Sequence, residues 1–338
     1  MSRIRPHLAS ALAAALLGAL PAEGATLFRA YLSATGADTN PCTLPQPCRL
    51  LPAALAAVSE GGEIWMLDSA NYNTGTVSIA KSVRILAIPG ALGSVVAVNS
   101  AAIQVSGTVS VGLKNLTIVP LPPAVAGQVG ISVTGAAEVT LEDCEIAGMP
   151  LAGIMASSGA NLQITRSIVR DNGYVGVYLL AGSSATLAQS HVFGNASDGI
   201  FAYAGAPSTS VTVDVVGCTI DGNTNGVEGW AREDGSRIVI RVRASRLAGN
   251  SQHGIAGQAD GTGTGLITAS GNVVSNNGAN GIAIYHAGMK AWVTGNTVSG
   301  NQVGLYNSAG TFESAGDNAV RNNLAGDTGG TITKPGTM

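Results

Sequence analysis

Charged and aromatic residues are scarce in this sequence. Of its 338 residues, 11% are charged and only 4% are aromatic, whereas glycine alone contributes 46. Hydrophobic residues make up 46% of the chain, which is ample for a long core of small stacked side chains and argues against disorder. The net charge of -3 gives no reason to expect nucleic acid or an anionic membrane as a partner.

Long hydrophobic runs are also missing, with one exception near the start. Residues 8–20 form an apolar run that follows Arg3 and Arg5 and precedes small residues. This arrangement is typical of a secretory signal peptide over residues 1–24, cleaved after Gly24 or Ala25. The run is shorter than a membrane span requires, and no other segment approaches about 20 apolar residues. The sequence therefore predicts a secreted or periplasmic protein with no membrane span in its mature chain.

The most regular feature of the sequence is a glycine followed by an aliphatic residue. This pair recurs every 23 to 28 residues, with the glycines at Gly130, Gly153, Gly176, Gly199, Gly226, Gly254, Gly281 and Gly304. A second apolar column follows in the same frame, at Ile146, Val169, Val192, Ile220, Leu247, Val274, Val298 and Val320. A period of this length with short β-rich segments predicts a solenoid, in which each coil buries its apolar face against its neighbours.

An asparagine recurs three residues after the second apolar column. The column consists of Asn172, Asn195, Asn223, Asn250, Asn277, Asn301 and Asn323, and Met149 takes its place in the first unit. Asparagine tolerates the left-handed backbone of a bend, and its amide can bond to the asparagine one coil away. We therefore predict a structural ladder rather than a catalytic set.

These repeats resemble the right-handed parallel β-helix proteins of the pectin-lyase-like superfamily, which includes pectate lyases, polygalacturonases and many other exported proteins. The resemblance covers roughly residues 60–335. It implies an all-β, single-stranded right-handed parallel β-helix of about ten coils with an N-terminal capping helix. Parallel crossovers are overwhelmingly right-handed, which favours the same hand. The superfamily contains lyases, hydrolases, epimerases and adhesins, so the resemblance defines the fold and not the activity.

The prediction divides the chain into three parts. Residues 1–24 are the signal peptide, residues 25–60 hold a strand, a cysteine loop and a capping helix over residues 49–58, and residues 61–338 form the β-helix. We expect a closing strand at residues 331–333. Residues 89–100 and 120–123 are predicted surface excursions, because proline cannot donate to a central ladder.

The four cysteines are predicted to form a single disulfide. Cys42 and Cys48 are separated by five residues in a chain predicted to be exported, and we expect them to close a small loop. Cys144 and Cys218 fall in one inward column, three coils apart. At about 4.8 Å per coil they lie roughly 14 Å from each other, which is beyond disulfide reach.

Six aromatic residues occupy positions two and four residues after the repeating glycine, where side chains point outward. They are Tyr178, Phe201, Tyr203, Trp230, Tyr285 and Tyr306. Rings stacked at one-coil steps could form a platform for the apolar faces of sugar rings. The alternative is that they only stack on one another across neighbouring coils.

Polar residues and longer loops coincide with the middle of this aromatic face. The residue before the glycine is polar on four successive coils, at Asp198, Asn225, His253 and Asn280. The coils that start at Gly199, Gly226 and Gly254 are longer than most others, and their loops bring Arg232, Asp234 and Asp260 to the rim. Long loops on a rigid scaffold are common binding elements. We therefore predict a groove for an extended polysaccharide, although polar turn residues are also common by default.

Evidence for catalysis in the sequence is thinner. Asp198, Glu228 and His253 lie on three successive coils and could make an acid/base group. The motifs of polygalacturonases are missing apart from an isolated His253-Gly254, and no motif supports a calcium site or another cofactor. A polysaccharide lyase or glycoside hydrolase remains the alternative to a binding protein, and an adhesive or structural protein without a defined ligand is the third possibility.

Overall fold

The computed structural model describes residues 26–335, so the predicted signal peptide lies outside the described residues. Within these residues, one short helix, α1 (Leu51–Ala57), accompanies 34 strands, numbered here in chain order. The strands form three parallel sheets, and each coil contributes one strand to each sheet. The described chain is therefore a parallel β-helix of about ten coils, as the repeats predict.

Sheet 1 has twelve strands and begins at the N-terminal end of the solenoid. Its strands are β1 (Leu27–Leu32), β2 (Val58–Met66), β5 (Val83–Ala87), β8 (Ser110–Lys114), β11 (Glu138–Glu142), β14 (Asn161–Thr165), β17 (Ser184–Ala188), β20 (Ser210–Val216), β23 (Arg237–Arg243), β26 (Thr264–Ser270), β29 (Met289–Thr294) and β32 (Thr311–Ser314).

Sheet 2 has eleven strands and contains the repeating glycines of the predicted frame. Its strands are β4 (Val77–Ile79), β7 (Ile103–Ser106), β10 (Val129–Thr134), β13 (Ala152–Ala156), β16 (Val175–Leu179), β19 (Asp198–Ala204), β22 (Asn225–Ala231), β25 (Ile255–Ala259), β28 (Asn280–Tyr285), β31 (Val303–Asn307) and β34 (Gly326–Gly329).

Sheet 3 also has eleven strands, most of them only three residues long. They are β3 (Ala70–Asn71), β6 (Gly93–Ala97), β9 (Leu116–Pro120), β12 (Glu145–Ala147), β15 (Ile168–Arg170), β18 (His191–Phe193), β21 (Thr219–Asp221), β24 (Arg246–Ala248), β27 (Val273–Ser275), β30 (Thr297–Ser299) and β33 (Ala319–Val320).

The core is a stack of identical positions in register. In sheet 2, Ile131 pairs with Ile154 and Val177 pairs with Ile200, so the residue after each glycine meets its equivalent one coil away. These side chains are fully buried. Since neighbouring residues of a strand face opposite sides, the alternate residues point outward.

The asparagine column forms a continuous hydrogen-bonded ladder inside the turn between sheets 3 and 2. Oδ1 of Asn195, for example, accepts the backbone N–H of Asn172 at 3.2 Å and its Nδ2 at 2.8 Å. The ladder begins where the backbone N–H of Met149 donates to Asn172. It ends where Asn323 donates to the carboxylate of Asp327 at 2.9 Å.

The ladder explains why glycine recurs next to it. A Cβ placed on Gly176 would lie 2.5 Å from the carbonyl oxygen of Gly199 and 2.9 Å from Nδ2 of Asn195. Both distances are far below van der Waals contact, so a larger residue would push the coils apart. Each repeating glycine therefore packs as a unit with the asparagine that follows it on the next coil, as Gly176 does with Asn195.

A second ladder runs through the turn between sheets 1 and 3. It is difficult to recognise in the sequence, because its residue type changes from coil to coil. It consists of Cys144, Ser167, Ser190, Cys218, Ser245, Asn272, Asn296 and Asn318. Each side chain accepts the backbone N–H of the preceding member, from Ser167 Oγ at 3.1 Å to Asn318 Oδ1 at 2.9 Å. Cys144 and Cys218 are thus buried, unpaired members of one column, as predicted.

The N-terminal region confirms the disulfide and the capping helix. Cys42 and Cys48 are bonded to each other. Helix α1 is shorter than the predicted 49–58, and its last turn is bound by Lys81, whose Nζ donates to the carbonyl oxygens of Leu55 and Val58 at 3.0 and 2.9 Å. A cation at the carboxyl end of a helix is favourable because the carbonyl groups there lack helical partners.

Two predictions about the less regular coils are wrong. Residues 89–100 are not a surface excursion, since they contain β6, whose Val95 and Ala97 are fully buried in sheet 3. The closing strand is not at residues 331–333, where Thr333 forms only one bridge to Glu313. The last strand of the described chain is β34, which pairs with β31. The described residues contain no helix that is both long enough and apolar enough to cross a membrane.

We expect Asn223→Ala to lower the free energy of unfolding by about 1–3 kcal/mol, because it leaves buried polar groups unpaired. Asn223 accepts the backbone N–H of Asn195 at 3.0 Å and donates to Asn250 at 3.2 Å. Denaturant unfolding of the variant and the parent provides the measurement. Asn161→Ala, on the outer face of sheet 1, should change the value by no more than about 0.5 kcal/mol. Equal effects of the two substitutions would contradict a stabilising ladder.

Candidate functional site

The six predicted aromatic side chains lie on the outer face of sheet 2. Strand pairing places Tyr178 beside Phe201 and Tyr203 beside Trp230, one coil apart. Tyr285 and Tyr306 lie on later coils, in β28 and β31. The constant frame of the repeats thus brings these residues to one surface.

Five rings on this surface form a continuous row, which we call the aromatic row. Its members are Tyr174, Tyr178, Phe201, Tyr203 and Trp230, with successive ring centroids 6.1, 5.4, 5.6 and 5.8 Å apart. These distances are typical of attractive aromatic pairs. Phe201 is only 7% exposed, so it supports the rings of Tyr178 and Tyr203 more than it faces solvent.

The aromatic row ends at a gap in the outer face. Beyond Trp230, the next position in its column is Gln258, followed by Tyr285. In the other outward column, Ala256 and Ala283 separate Glu228 from Tyr306. Because alanine side chains are short, the gap forms a cleft of about 240 Å³, lined by Asn225, Glu228, Gln252, His253, Ala256, Gln258 and Tyr285.

Glu228 and Asp198 form a carboxyl pair held together by Asn225. Nδ2 of Asn225 donates to Oδ1 of Asp198 at 2.8 Å and to Oε2 of Glu228 at 2.7 Å. Oδ1 of Asn225 accepts the backbone N–H of His253 at 3.1 Å, which fixes the orientation of the amide. The other oxygen of Glu228 accepts a bond from Gln258 at 2.7 Å. Asp198 is only 3% exposed, so Glu228 is the member of the pair that faces the cleft.

The carboxyl pair retains a proton near neutral pH. Burial raises the pKa of Asp198. Burial and the neighbouring charge of Asp198 raise the pKa of Glu228 to about 7, because two adjacent carboxyl groups with little solvent resist carrying two negative charges. Below about pH 7 Glu228 therefore holds a proton, and above that pH it becomes negatively charged.

Two neighbours fix the direction of the Tyr285 hydroxyl. Nδ1 of His253 accepts the backbone N–H of Asn280 at 3.2 Å, so the neutral imidazole carries its proton on Nε2. Burial lowers the pKa of His253 and favours this neutral form. Nε2 of His253 and Nδ2 of Asn280 then both donate to Oη of Tyr285, at 3.3 and 2.9 Å. With its acceptor positions occupied, the Tyr285 hydroxyl is left to donate a hydrogen bond to a ligand in the cleft.

Loop residues hold the rings at the rim of the cleft. Arg232 donates to Oη of Tyr203 at 2.8 Å, and its guanidinium lies 5.5 Å from the centre of the Trp230 ring. Nε1 of Trp230 donates to Asp260 at 2.9 Å, and Nδ1 of His286 lies 3.3 Å from the same carboxyl group. The loops of the long coils therefore fix the orientation of two aromatic side chains.

The residues predicted from the sequence separate into three groups. Asn225, Glu228, His253 and Tyr285 line the cleft, while Asp198 and Asn280 support it from behind. The aromatic row and its rim contain Tyr178, Phe201, Tyr203, Trp230, Arg232 and Asp260, and the Tyr306 ring lies 5.6 Å from that of Tyr285 at a tilted angle. Asp234 belongs to none of these sets. Its carboxyl oxygen accepts a hydrogen bond from the Thr262 hydroxyl at 3.0 Å and so links the loops of two neighbouring coils.

Sequence reasoning missed Tyr174, Gln252, Gln258 and the two alanines, Ala256 and Ala283. Gln258 and the alanines could have been found from the frame, since they interrupt the columns that contain Trp230, Tyr285 and Tyr306. Tyr174 lies in a turn, where the alternation of strand residues gives no signal. Among residues 26–335, no three His, Cys, Asp or Glu side chains cluster as ligands for a metal ion.

Comparison with known proteins identifies the fold. Residues 101–264 match a family model described as "Right handed beta helix region". Among solved structures, pectate lyase Pel9A is 16% identical, with 88% of this chain and 80% of that chain covered and a TM-score of 0.55. XylC in complex with xylose is 10% identical, covering 82% and 69%, with a TM-score of 0.59. The enzymatically active domain of tailspike protein 2 from bacteriophage CBA120 is 14% identical, covering 83% and 48%, with a TM-score of 0.54.

No curated protein matches the sequence. The likenesses to solved structures are too distant in sequence to carry over an activity, and they show the architecture alone. The hand of the solenoid and the repeat type both follow from these comparisons.

The proton on the carboxyl pair predicts that thermal stability falls as pH rises from about 5 to about 7.5. An unfolded chain releases the Glu228 proton near pH 4.3, whereas the folded chain holds it to about pH 7. Between these values the folded state binds more protons, so raising the pH favours unfolding. Melting temperatures measured across this range for the parent and for Glu228→Gln provide the test.

The comparison with Glu228→Gln isolates the carboxyl pair from other groups. His253 acts in the opposite direction, because its lowered pKa makes folding more favourable as pH rises. The difference in melting temperature between parent and variant removes this shared contribution. If that difference is the same at every pH, the carboxyl pair does not retain a proton in the folded state.

Proposed function

We propose that this right-handed parallel β-helix repeat protein binds an extended polysaccharide along the outer face of sheet 2, with one sugar unit in the cleft. The observation that carries the proposal is the continuity of the aromatic row with the cleft. The row leads from Tyr174 to Trp230, and Tyr285 and Tyr306 continue beyond the gap.

The size of this surface suits a polymer better than a small molecule. From β16 to β31 the face spans five coil steps, or roughly 24 Å at about 4.8 Å per coil. Aromatic side chains bind the apolar faces of sugar rings, while the polar groups of the cleft can bind hydroxyl groups. The half-buried rings of Tyr178, Tyr203 and Trp230 stay in place through their own contacts, so binding would order few new side chains.

Proteins with this architecture add support of a general kind. One of them is named a pectate lyase, and another was solved in complex with xylose. Both names concern sugars or sugar polymers. At 16% and 10% identity they make a glycan ligand plausible for this chain without defining which one.

A specific observation favours a second candidate function, cleavage of the bound glycan. Glu228 lies in the cleft with its pKa raised to about 7, which suits a general acid at neutral pH. Asp198 is too buried to reach a substrate and would act through Glu228 by raising its pKa. Glycoside hydrolysis also needs a second carboxylate across the scissile bond, and the residues that line the cleft do not supply one.

We expect Trp230→Ala and Tyr203→Ala each to weaken glycan binding at least about tenfold, since each removes a ring beside the cleft. Binding can be measured by titration with the tightest-binding oligosaccharide of a glycan array. Trp292→Ala is the matched control, because Trp292 is 40% exposed on the outer face of sheet 1. If the ring variants bind like the parent but melt several degrees lower, the rings only stabilise the fold, and a structural or adhesive role replaces the proposal.

Turnover separates the two candidate functions. If the protein cleaves its glycan, Glu228→Gln should lower the rate about 10²-fold or more while binding is retained. The parent rate should fall as pH rises above about 7, since the acid form of Glu228 is lost there. Reducing ends and unsaturated products are the quantities to measure. A parent protein that forms neither product from the glycan it binds is a binding protein.

A further inference from the structure

We infer that the cleft accepts an uncharged sugar unit and rejects a uronate. This inference rests on the proposed function and narrows its ligand class. It follows from the charges and hydrogen-bonding groups that line the cleft, and it separates this protein from those of the same architecture that act on acidic polymers such as pectate.

The charge of the cleft is negative or zero on every side. Among the residues that line it, Asn225, Gln252 and Gln258 carry amides, and no lysine or arginine is present. Glu228 is the one carboxyl group in the lining, with Asp198 directly behind it. Above about pH 7 Glu228 loses its proton, so an approaching carboxylate would meet a like charge in a weakly solvated site.

His253 does not offset this charge. Nδ1 of its ring accepts the backbone N–H of Asn280 at 3.2 Å, and a protonated imidazole would have no lone pair for that bond. The ring is therefore neutral while this hydrogen bond is made. The imidazole contributes a donor to Tyr285 and no charge to the ligand.

The arginine beside the cleft is directed away from it. Arg232 lies in the loop after β22 and donates to Tyr203 on the preceding coil, whereas the cleft lies toward the following coil. Its guanidinium also lies 3.8 Å from the carboxyl group of Glu233. At the other side of the rim, His286 is paired with Asp260. The rim therefore provides no unpaired cation for a uronate.

The remaining groups of the cleft suit a sugar with hydroxyl groups. Ala256 provides a small apolar patch for one face of a ring. Tyr285 offers a hydrogen-bond donor, while Gln258 and Glu228 offer acceptor oxygens. A hydroxyl group can both donate and accept, whereas a carboxylate can only accept. The carboxylate of a uronate has no proton to donate, so the acceptor oxygens of the cleft would lose a hydrogen bond at that position. An acceptor without a donor costs free energy in a buried site.

The test starts from a panel of oligosaccharides of equal length. Its neutral members are β-1,4-linked glucose, mannose, xylose and N-acetylglucosamine oligomers, and its acidic members are galacturonate, mannuronate and guluronate oligomers. Affinities are measured by titration at about pH 8.5, where Glu228 has lost its proton, and at low ionic strength. We expect the tightest binder to be neutral. Where it carries a primary alcohol at C6, oxidation of that group to a carboxylate should weaken binding at least tenfold.

Two variants show whether the cleft causes this preference. Glu228→Gln removes one ionisable group, and Gln258→Arg adds a cation next to Glu228. Each should raise the affinity for a uronate oligomer at least about fivefold relative to the neutral one. Glu138→Gln is the control, because Glu138 is exposed on the outer face of sheet 1 in β11. This substitution changes the net charge of the protein by the same amount as Glu228→Gln.

The outcomes distinguish this inference from the proposed function. A neutral tightest binder whose preference shrinks in both cleft variants but not in Glu138→Gln supports both. A uronate that binds as tightly as any neutral oligomer overturns the inference while the proposed function stands. An equal loss of preference in Glu138→Gln also overturns it, because net charge would then explain the effect. If no member of the panel binds, the proposed function fails and the inference fails with it.

Discussion

In the regular coils, the contact between the repeating glycine, which we call the anchor glycine, and the asparagine amide of the next coil sets the geometry of the solenoid. The space between two coils at this point is filled by one amide, so neither a larger residue at the glycine nor a shift in register can be accommodated. This constraint repeats from Gly153 to Gly304. Every other position of a coil, inward or outward, is therefore held at a fixed place relative to its equivalent one coil away.

The same constraint explains how a site can form on so regular a scaffold. The core confines inward positions to apolar side chains, and the two ladders confine turn positions to side chains that accept a backbone N–H. Outward positions are free to vary, and sheet 2 uses that freedom on a few successive coils. Large rings on β16, β19 and β22 give way to Gln258 and two alanines and then to Tyr285 and Tyr306. The cleft is thus produced by small residues in a column of large ones.

The chemistry of the cleft depends on hydrogen bonds that cross between coils. Asn225 of one coil joins Asp198 of the coil before it to Glu228 of its own, and is itself oriented by a backbone N–H of the coil that follows. His253 and Asn280 act in the same way on Tyr285. Because these residues sit immediately before the anchor glycine, the ladder that fixes the glycine also fixes them. The ladder that keeps the coils regular therefore also holds the polar side chains of the site in place.

Much of the fold and of the site could be predicted from the sequence, because in a repeat the spacing of residues along the chain fixes their positions within each coil. The frame of Gly130 to Gly304 predicted the fold class, and the loop between Cys42 and Cys48 indicated the disulfide. The second ladder could not be recognised as a ladder in the sequence, because cysteine, serine and asparagine can all accept the same backbone N–H. The strand at Gly93–Ala97 has no recognisable signal in the sequence, because the early coils lack the repeating glycine. The burial of Asp198 and the direction of the Tyr285 hydroxyl depend on side-chain contacts between coils, which no pattern in one coil encodes.

A crystal structure with the tightest-binding oligosaccharide would test the central claim most directly. Our account predicts sugar units along the outer face of sheet 2, one of them resting on Ala256 within hydrogen-bonding distance of Tyr285, and others against Trp230 and Tyr203. A glycan bound instead on the outer face of sheet 1, such as the groove beside Arg84, Gly112 and Lys114, or on sheet 3, would contradict it.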